Sequence, residues 1–288
     1  MKSITTDELI QKLQTRDTVV FGTGFVAEMF YQALIQHGLA DRVRAYTVTE
    51  ARAGQRFHGI PVLSFRETAF PGDTLLCVAV HESALAGIEA TLEIASAEVV
   101  DIYSNLYDML YGNPIMSTSL PLAAILQSQD PDEYWLALRF AAIRDYLIRP
   151  DRYKRTKDLY LRALSLHCKE ETAVRRCGQM EKLADSMARY GFRESCPLRI
   201  DESFRIIDGL HRAACAAFLK IARIPVLIYP LSSNYDILLG EKNRLAGQTL
   251  LDAGFCADEI DFLRAAQKEL SALTGPDELP QQVVRSKE

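Results

Sequence analysis

No apolar run in this chain approaches the 18 or so residues that a membrane span requires. The longest, such as Leu75 to Val80, are strand-sized. The opening residues, Met1-Lys2-Ser3-Ile4-Thr5-Thr6-Asp7-Glu8, hold no apolar secretory core. Both absences lead to the expectation of a cytoplasmic protein with no membrane partner. The six cysteines (Cys77, Cys168, Cys177, Cys196, Cys215, Cys256) form no C-x-x-C pair, so the usual zinc-ligand spacing is missing. Most of them are expected as small buried apolar residues, Cys215 among them. A basic excess is lacking too. The 33 Lys and Arg face 38 Asp and Glu, a formal net charge of −5, which argues against a general nucleic-acid coat. Internal repeats and low-complexity tracts are also absent.

What is present is the balance of a globular protein: 48% hydrophobic and 25% charged residues over 288 positions. At roughly 150 residues per domain, that length suggests two domains. Residues 1–111 alternate short apolar strands (18–21, 43–49, 75–80, 99–103) with helical stretches, the clearest being Phe25 to His37 closed by Gly38. Ser83 is expected to cap the helix after the 75–80 strand. Strand–helix alternation predicts a parallel sheet with helices on its faces. Residues 112–150, opened by Gly112-Asn113-Pro114, read as a helical connector, with helices at Leu120 to Gln127 and Asp132 to Leu147. Residues 151–234 form a second α/β domain. There a helix from Gln179 to Tyr190 precedes two strands (197–200, 204–207), a helix from near His211 to Lys220 and a strand from Ile224 to Tyr229. Residues 235–288 read as a helical tail that frays at Ser286-Lys287-Glu288.

Two constellations carry chemistry. The first is Gly22-Thr23-Gly24-Phe25-Val26-Ala27, a G-x-G-x-x-A between strand and helix. Gly22 permits a tight turn, and Gly24 lets backbone approach a ligand with no Cβ in the way. The helix start then offers N–H groups and partial positive charge to an anion. The acidic residue that would hold a ribose is expected about 20 places on; Glu50, the nearest, comes late. Three readings stay open: glycines that merely pack helix on strand, a nucleotide or nucleotide-sugar site, and an NAD(P)-dependent oxidoreductase. The last lacks a Tyr-x-x-x-Lys pair downstream. In the pieces Val19-Val20-Phe21-Gly22-Thr23-Gly24, Ala45-Tyr46-Thr47-Val48, 57–63 and Leu76-Cys77-Val78-Ala79-Val80, this region resembles the N-terminal Rossmann-like domain of surface-polysaccharide sugar acyltransferases. That resemblance implies a domain able to bind a nucleotide-sugar. The hexapeptide β-helix repeats that carry acyl transfer in those proteins are missing here, so the activity does not follow.

The second constellation is Ile206-Ile207-Asp208-Gly209-Leu210-His211-Arg212-Ala213-Ala214. A strand delivers Asp208, Gly209 turns the chain, and His211 and Arg212 open a helix. Cations there oppose the helix dipole. A phosphate would relieve that conflict. Arg212 is expected to grip it with two N–H groups and His211 to donate to it or move a proton. Asp208 is expected to bind Mg²⁺ or steer a hydroxyl. The competing reading is a turn, a helix cap and a solvated Arg. The run Arg149, Arg152, Lys154, Arg155, Lys157 is either a solvated helix face or an adjoining anion surface.

Residues 183–226 resemble the ParB/sulfiredoxin superfamily: Leu183-Ala184-Asp185-Ser186-Met187, Gly191, Pro197-Leu198-Arg199-Ile200, the Asp208–Ala216 segment, and Ile224-Pro225-Val226. The resemblance implies an α+β domain that binds ATP or CTP with Mg²⁺, Gly209, His211 and Arg212 matching the phosphate box. Leu210 replaces the catalytic Cys of sulfiredoxins, which puts that activity out. The kinase branch shares Asp208-Gly209 and also needs an upstream Glu, for which Glu170, Glu171 and Glu181 are candidates. The expected fold is therefore α/β: an N-terminal Rossmann-like parallel sheet plus a C-terminal ParB/sulfiredoxin-like α+β domain. The expected function is an ATP- or CTP-binding phosphotransferase (kinase) acting on a small hydroxyl-bearing substrate in surface-polysaccharide or related metabolism. Asp208 and His211 would be catalytic, and Gly209, His211, Arg212, Gly22 and Gly24 would contact nucleotide or phosphate. The alternatives are a non-catalytic nucleotide- or DNA-binding regulator and an NAD(P) oxidoreductase. A homodimer stays open, and a nucleic-acid partner is not favoured.

Overall fold

The structure, a computed structural model, describes residues 4–67, 70–71, 73–85, 87–93, 95–230 and 244–273. The chain is mixed α/β and forms two compact units, Met1–Asn113 and Pro114–Glu288.

The first unit is built on six strands: β1 (Thr18–Phe21), β2 (Val43–Val48), β3 (Arg56–Phe57), β4 (Ile60–Ser64), β5 (Leu75–Val78) and β6 (Glu98–Asp101). Their order is β3-β4-β2-β1-β5-β6. All neighbours run parallel except the edge hairpin β3–β4. Its helices among the described residues are α1 (Thr6–Thr15), α2 (Phe25–Gln36), α3 (Glu82–Leu85), α4 (Glu89–Leu92) and α5 (Leu106–Tyr111). β1 and β5 are buried at every position, which is why their sequences are continuously apolar rather than alternating. The chain leaves β1 for β2 on one side and later returns to β5 on the other. The loop after β1, which carries Gly22 and Gly24, therefore stands where the strand order reverses, the usual ligand crevice of open parallel sheets. The side chain of Ser83, expected as a cap, lies outside what is described.

The second unit has a mixed four-stranded sheet ordered β7-β10-β8-β9. Its strands are β7 (Met116–Pro121), β8 (Leu198–Asp201), β9 (Ile206–Asp208) and β10 (Arg223–Tyr229). β10 pairs parallel with β8 and antiparallel with β7. Helices α6 (Leu122–Gln127), α7 (Trp135–Ile148), α8 (Pro150–Ser165), α9 (Glu170–Tyr190) and α10 (Leu210–Phe218) accompany it, with further helices at Gly247–Asp252 and Ala257–Ala272.

Residues 112–150 are not a separate helical connector. Met116–Pro121 is a strand whose partner lies about a hundred residues later, at Arg223 to Ile228. α7 is buried along nearly its whole length, from Trp135 to Asp145. One hydrophobic core runs through the expected connector, domain and tail, from Leu122 through Ile143, Met180 and Ala214 to Leu263 and Leu270. A helix apolar on every side cannot stand alone as a linker. Residues 231–243 and 274–288 of the expected tail, Ser286 to Glu288 included, lie outside the described residues.

A buried polar knot ties the last long helix into this core. Arg144 and Asp145 form an ion pair at 2.9 Å with both side chains almost fully withdrawn from water. Asp145 also accepts from the Thr156 hydroxyl of α8 at 2.6 Å, and Arg144 reaches Glu269 on the 257–272 helix. Removing one member of such a pair strands the other without solvation. Asp145→Ala is expected to cost about 3–5 kcal/mol, read as a lower urea midpoint for the full chain; an unchanged midpoint would show the knot to be energetically silent.

Candidate functional site

The bend between β9 and α10 places most of the expected residues together. Gly209 adopts φ +104° and starts α10, which has no side-chain cap. The left-handed backbone is one reason for glycine, and crowding is the other. A Cβ here would lie 2.4 Å from Leu198 Cδ2 and 3.0 Å from Arg212 Nη2.

Arg212 points back into the bend. Its Nη2 donates to Asp208 Oδ2 at 2.8 Å, and its Nη1 donates to the carbonyls of Cys196 at 2.6 Å and Pro197 at 2.8 Å. Arg199, the cross-strand partner of Asp208, donates to the same Oδ2 at 3.2 Å. Both terminal nitrogens of Arg212 are therefore engaged by the chain itself, and the bidentate phosphate grip expected of it is already taken up by carbonyls and a carboxylate. Asp208 fits poorly as a Mg²⁺ ligand, since two guanidiniums already neutralise its carboxylate and set positive charge where the cation would come. Among the described residues no cluster of three His, Cys, Asp or Glu could hold a metal ion.

His211 faces the helical layer instead. Its Nε2 lies 2.6 Å from the Tyr160 hydroxyl of α8. Arg139 of α7 donates to the same nitrogen through Nε at 3.3 Å. Arg139 has only donors to offer, so Nε2 is the acceptor and the ring proton belongs on Nδ1. Arg139 also donates to the Trp135 carbonyl at 3.0 Å and stacks over the Trp135 ring at 4.6 Å. Burial lowers the pKa of Arg139, with the charges of Tyr160 and Glu133 acting against that. Burial raises the pKa of Tyr160, and Arg139 opposes it. The phenol therefore stays protonated and donates to His211.

Arg139 and Tyr160 escaped the sequence reading. The available signal was an arginine inside the almost wholly apolar run 135–143, where a charge needs a reason. Of the three upstream glutamates, Glu170 and Glu171 are exposed at the start of α9. Glu181 faces α8, accepting from Tyr153 at 2.5 Å and from Lys157 at 2.8 Å. Of the basic run, Arg152, Lys154 and Arg155 are exposed, whereas Lys157 turns inward to that ion pair. Cys215 is fully buried, and burial pushes its thiol up to about 12.

The two glycines of the first unit behave differently from one another. Gly22 has φ +115°, and a Cβ on it would sit 2.7 Å from the Ala79 carbonyl oxygen. The neighbouring strand thus accounts for it without a ligand. Gly24 caps α2 with φ −92° and is exposed, and among the described residues nothing lies within 4 Å of the place its Cβ would take. It keeps an open approach to the α2 N-terminus. Glu50 is exposed.

No known family model, curated protein or solved structure matches this chain. The case for a function therefore rests on the residues and their geometry.

Two outcomes follow. Gly209→Ala is expected to lower the melting temperature measurably, the strained φ alone costing on the order of 1–3 kcal/mol, while Gly24→Ala leaves it near wild type; the reverse order would contradict the packing described. Burial disfavours the Glu181 carboxylate, but the hydrogen bonds from Lys157 and Tyr153 outweigh it and hold its pKa below the usual value. A lowered folded-state pKa contributes stability above the unfolded value and loses it as pH falls through the folded one. The melting gap between wild type and Glu181→Gln should thus be steady above about pH 5 and narrow below about pH 4; a gap that widened in acid would refute the assignment.

Proposed function

We propose that the 114–288 unit binds the phosphates of a nucleoside triphosphate, ATP or CTP, at the start of α10. The observation that carries this is the placement of His211 in the first turn of an uncapped helix, held from the side by Tyr160 and Arg139. Free N–H groups and the helix dipole favour an anion at that end, and the cation brought beside the ring adds to the attraction. The order strand, Asp208-Gly209, His211, helix supports the likeness to the ParB/sulfiredoxin superfamily. Within it, phosphoryl transfer to a small hydroxyl compound is the most concrete activity.

In that reaction the residues have separate tasks. Arg212 and Arg199 keep Asp208 in place and the bend closed. The α10 N–H groups orient the phosphates. His211, its Nε2 tied to Tyr160, keeps a fixed ring orientation and tautomer. No step is assigned to Mg²⁺, given the poor fit at Asp208. The exposed Arg152, Lys154 and Arg155 favour a second reading, in which nucleotide binding regulates contact with a nucleic acid rather than driving catalysis.

Calorimetric titration with ATP and CTP, each with and without Mg²⁺, tests the proposal. Saturable binding is expected, weakened about tenfold in His211→Ala, as for loss of one charge-assisted hydrogen bond. No binding of either nucleotide removes the proposal, and equal binding by the variant removes the site. Nucleotide turnover with a panel of sugars and hydroxy amino acids separates the catalytic reading from the regulatory one.

A further inference from the structure

Glu133, just ahead of α7, ties two distant parts of the second unit together. Its Oε1 accepts from the N–H of Trp135, the first residue of α7, and from the N–H of Leu245, both at 3.1 Å. The Tyr134 N–H donates to the Leu245 carbonyl at 3.0 Å, and Leu245 is fully buried. The start of α7 is thus held by a residue 112 positions further along the chain than Glu133. A carboxylate also suits the partial positive charge at that end of the helix, where Tyr134 supplies no side-chain cap.

Trp135 in turn serves Arg139 twice. Its carbonyl accepts from Arg139 Nη1 at 3.0 Å, and its ring lies 4.6 Å from the guanidinium carbon. The same guanidinium donates from Nε to His211 Nε2 at 3.3 Å. A planar group held at one edge and on one face by a single residue has its Nε–H direction fixed. Leu245, Glu133, Trp135, Arg139 and His211 therefore form one unbroken run of contacts, of the kind that carries coupling between separated groups.

We propose that Glu133 and Trp135 are positioning residues for His211: Leu245 docked on Glu133 fixes Trp135, Trp135 aims Arg139, and Arg139 holds the ring's Nε2. The inference deepens the nucleotide reading and rests on it for the use made of His211. Neither residue is assigned a contact with phosphate. They decide where the ring points and which of its nitrogens carries the proton, since a donor held against Nε2 keeps that nitrogen unprotonated. A plain helix cap at Glu133 would stabilise α7 and leave the imidazole unchanged, and that difference is measurable.

Nitrogen-15 NMR of the full chain labelled at histidine reads the state of each ring nitrogen, and His211→Gln identifies the signals. Glu133→Ala should move the His211 signals away from the wild-type pattern of protonated Nδ1 and unprotonated Nε2. It should also weaken ATP or CTP binding about threefold or more in calorimetry. Glu133→Gln keeps an acceptor oxygen for both N–H groups and should restore the pattern, with binding within about twofold of wild type. Asp130→Asn removes the exposed ion pair to Arg244 beside the same docking point, reports general loosening, and should leave His211 unmoved. Thermal melting confirms that each variant is folded. Trp135→Phe, which keeps the backbone contacts but offers Arg139 a poorer ring face, takes the place of Glu133→Ala if that variant does not fold, and should shift the same signals. Unmoved His211 signals in the folded variant overturn the inference, as does Asp130→Asn moving them as far. The spectra need no nucleotide, so the two readings separate. Moved signals with no affinity for ATP or CTP keep the positioning and remove the nucleotide reading; nucleotide binding with unmoved signals does the reverse.

Discussion

The guanidinium of Arg212 is the pin on which the bend between β9 and α10 turns. From the first turn of α10 it reaches the carboxylate that ends β9 and two carbonyls on the approach to β8. Three chain segments are thereby locked at one point. An ammonium would not serve as well, because only a planar fork can meet a carboxylate and two carbonyls in fixed directions. With the bend closed in this way, Gly209 must be glycine, and the His211 ring is turned out of the bend toward α7 and α8. The residue that looked most like a ligand-binder is thus engaged as a brace, and its neighbour is presented.

The surroundings of His211 show how a helical layer can be core and still hold polar groups at its seams. α7 is packed on nearly every side, yet it carries Arg139 and Arg144. Arg144 is neutralised internally by Asp145 and Glu269 and knits helices together. Arg139 is set beside an imidazole and a phenol instead. The same residue type on one helix thus has two electrostatic fates, decided by what the adjoining helices offer. α8 contributes Tyr153, Lys157 and Tyr160 on one stripe, and α9 answers with Cys177 and Glu181. Polar groups buried at such a seam are satisfied by one another, which gives the interface a specific register at some expense in hydrophobic gain.

In the first unit the G-x-G segment divides its labour. Gly22 is demanded by the carbonyl of Ala79 on the neighbouring strand's extension, and Gly24 by no neighbour among the described residues. The first is a packing requirement of a closely spaced parallel sheet, and the second keeps a helix N-terminus accessible. A motif that reads as one unit in sequence is therefore two separate constraints in space.

By itself the sequence determined the strand–helix alternation of residues 18–101, the break near Gly112-Asn113-Pro114 and the turn at Asp208-Gly209. Each of these is a local matter of apolar periodicity or of a backbone angle that few residues tolerate. It did not show that Met116–Pro121 is a strand, because that segment's hydrogen-bond partners lie at the other end of the unit. Nor did it show that Arg139 and Tyr160 meet His211, since the three residues come from three helices and only the packing of the core aligns those faces. The direction in which Arg212 points was decided the same way. Its charge was legible in the chain, but its acceptors are carbonyls of Cys196 and Pro197, which carry no side-chain signature and are brought near only when β8, β9 and α10 assemble.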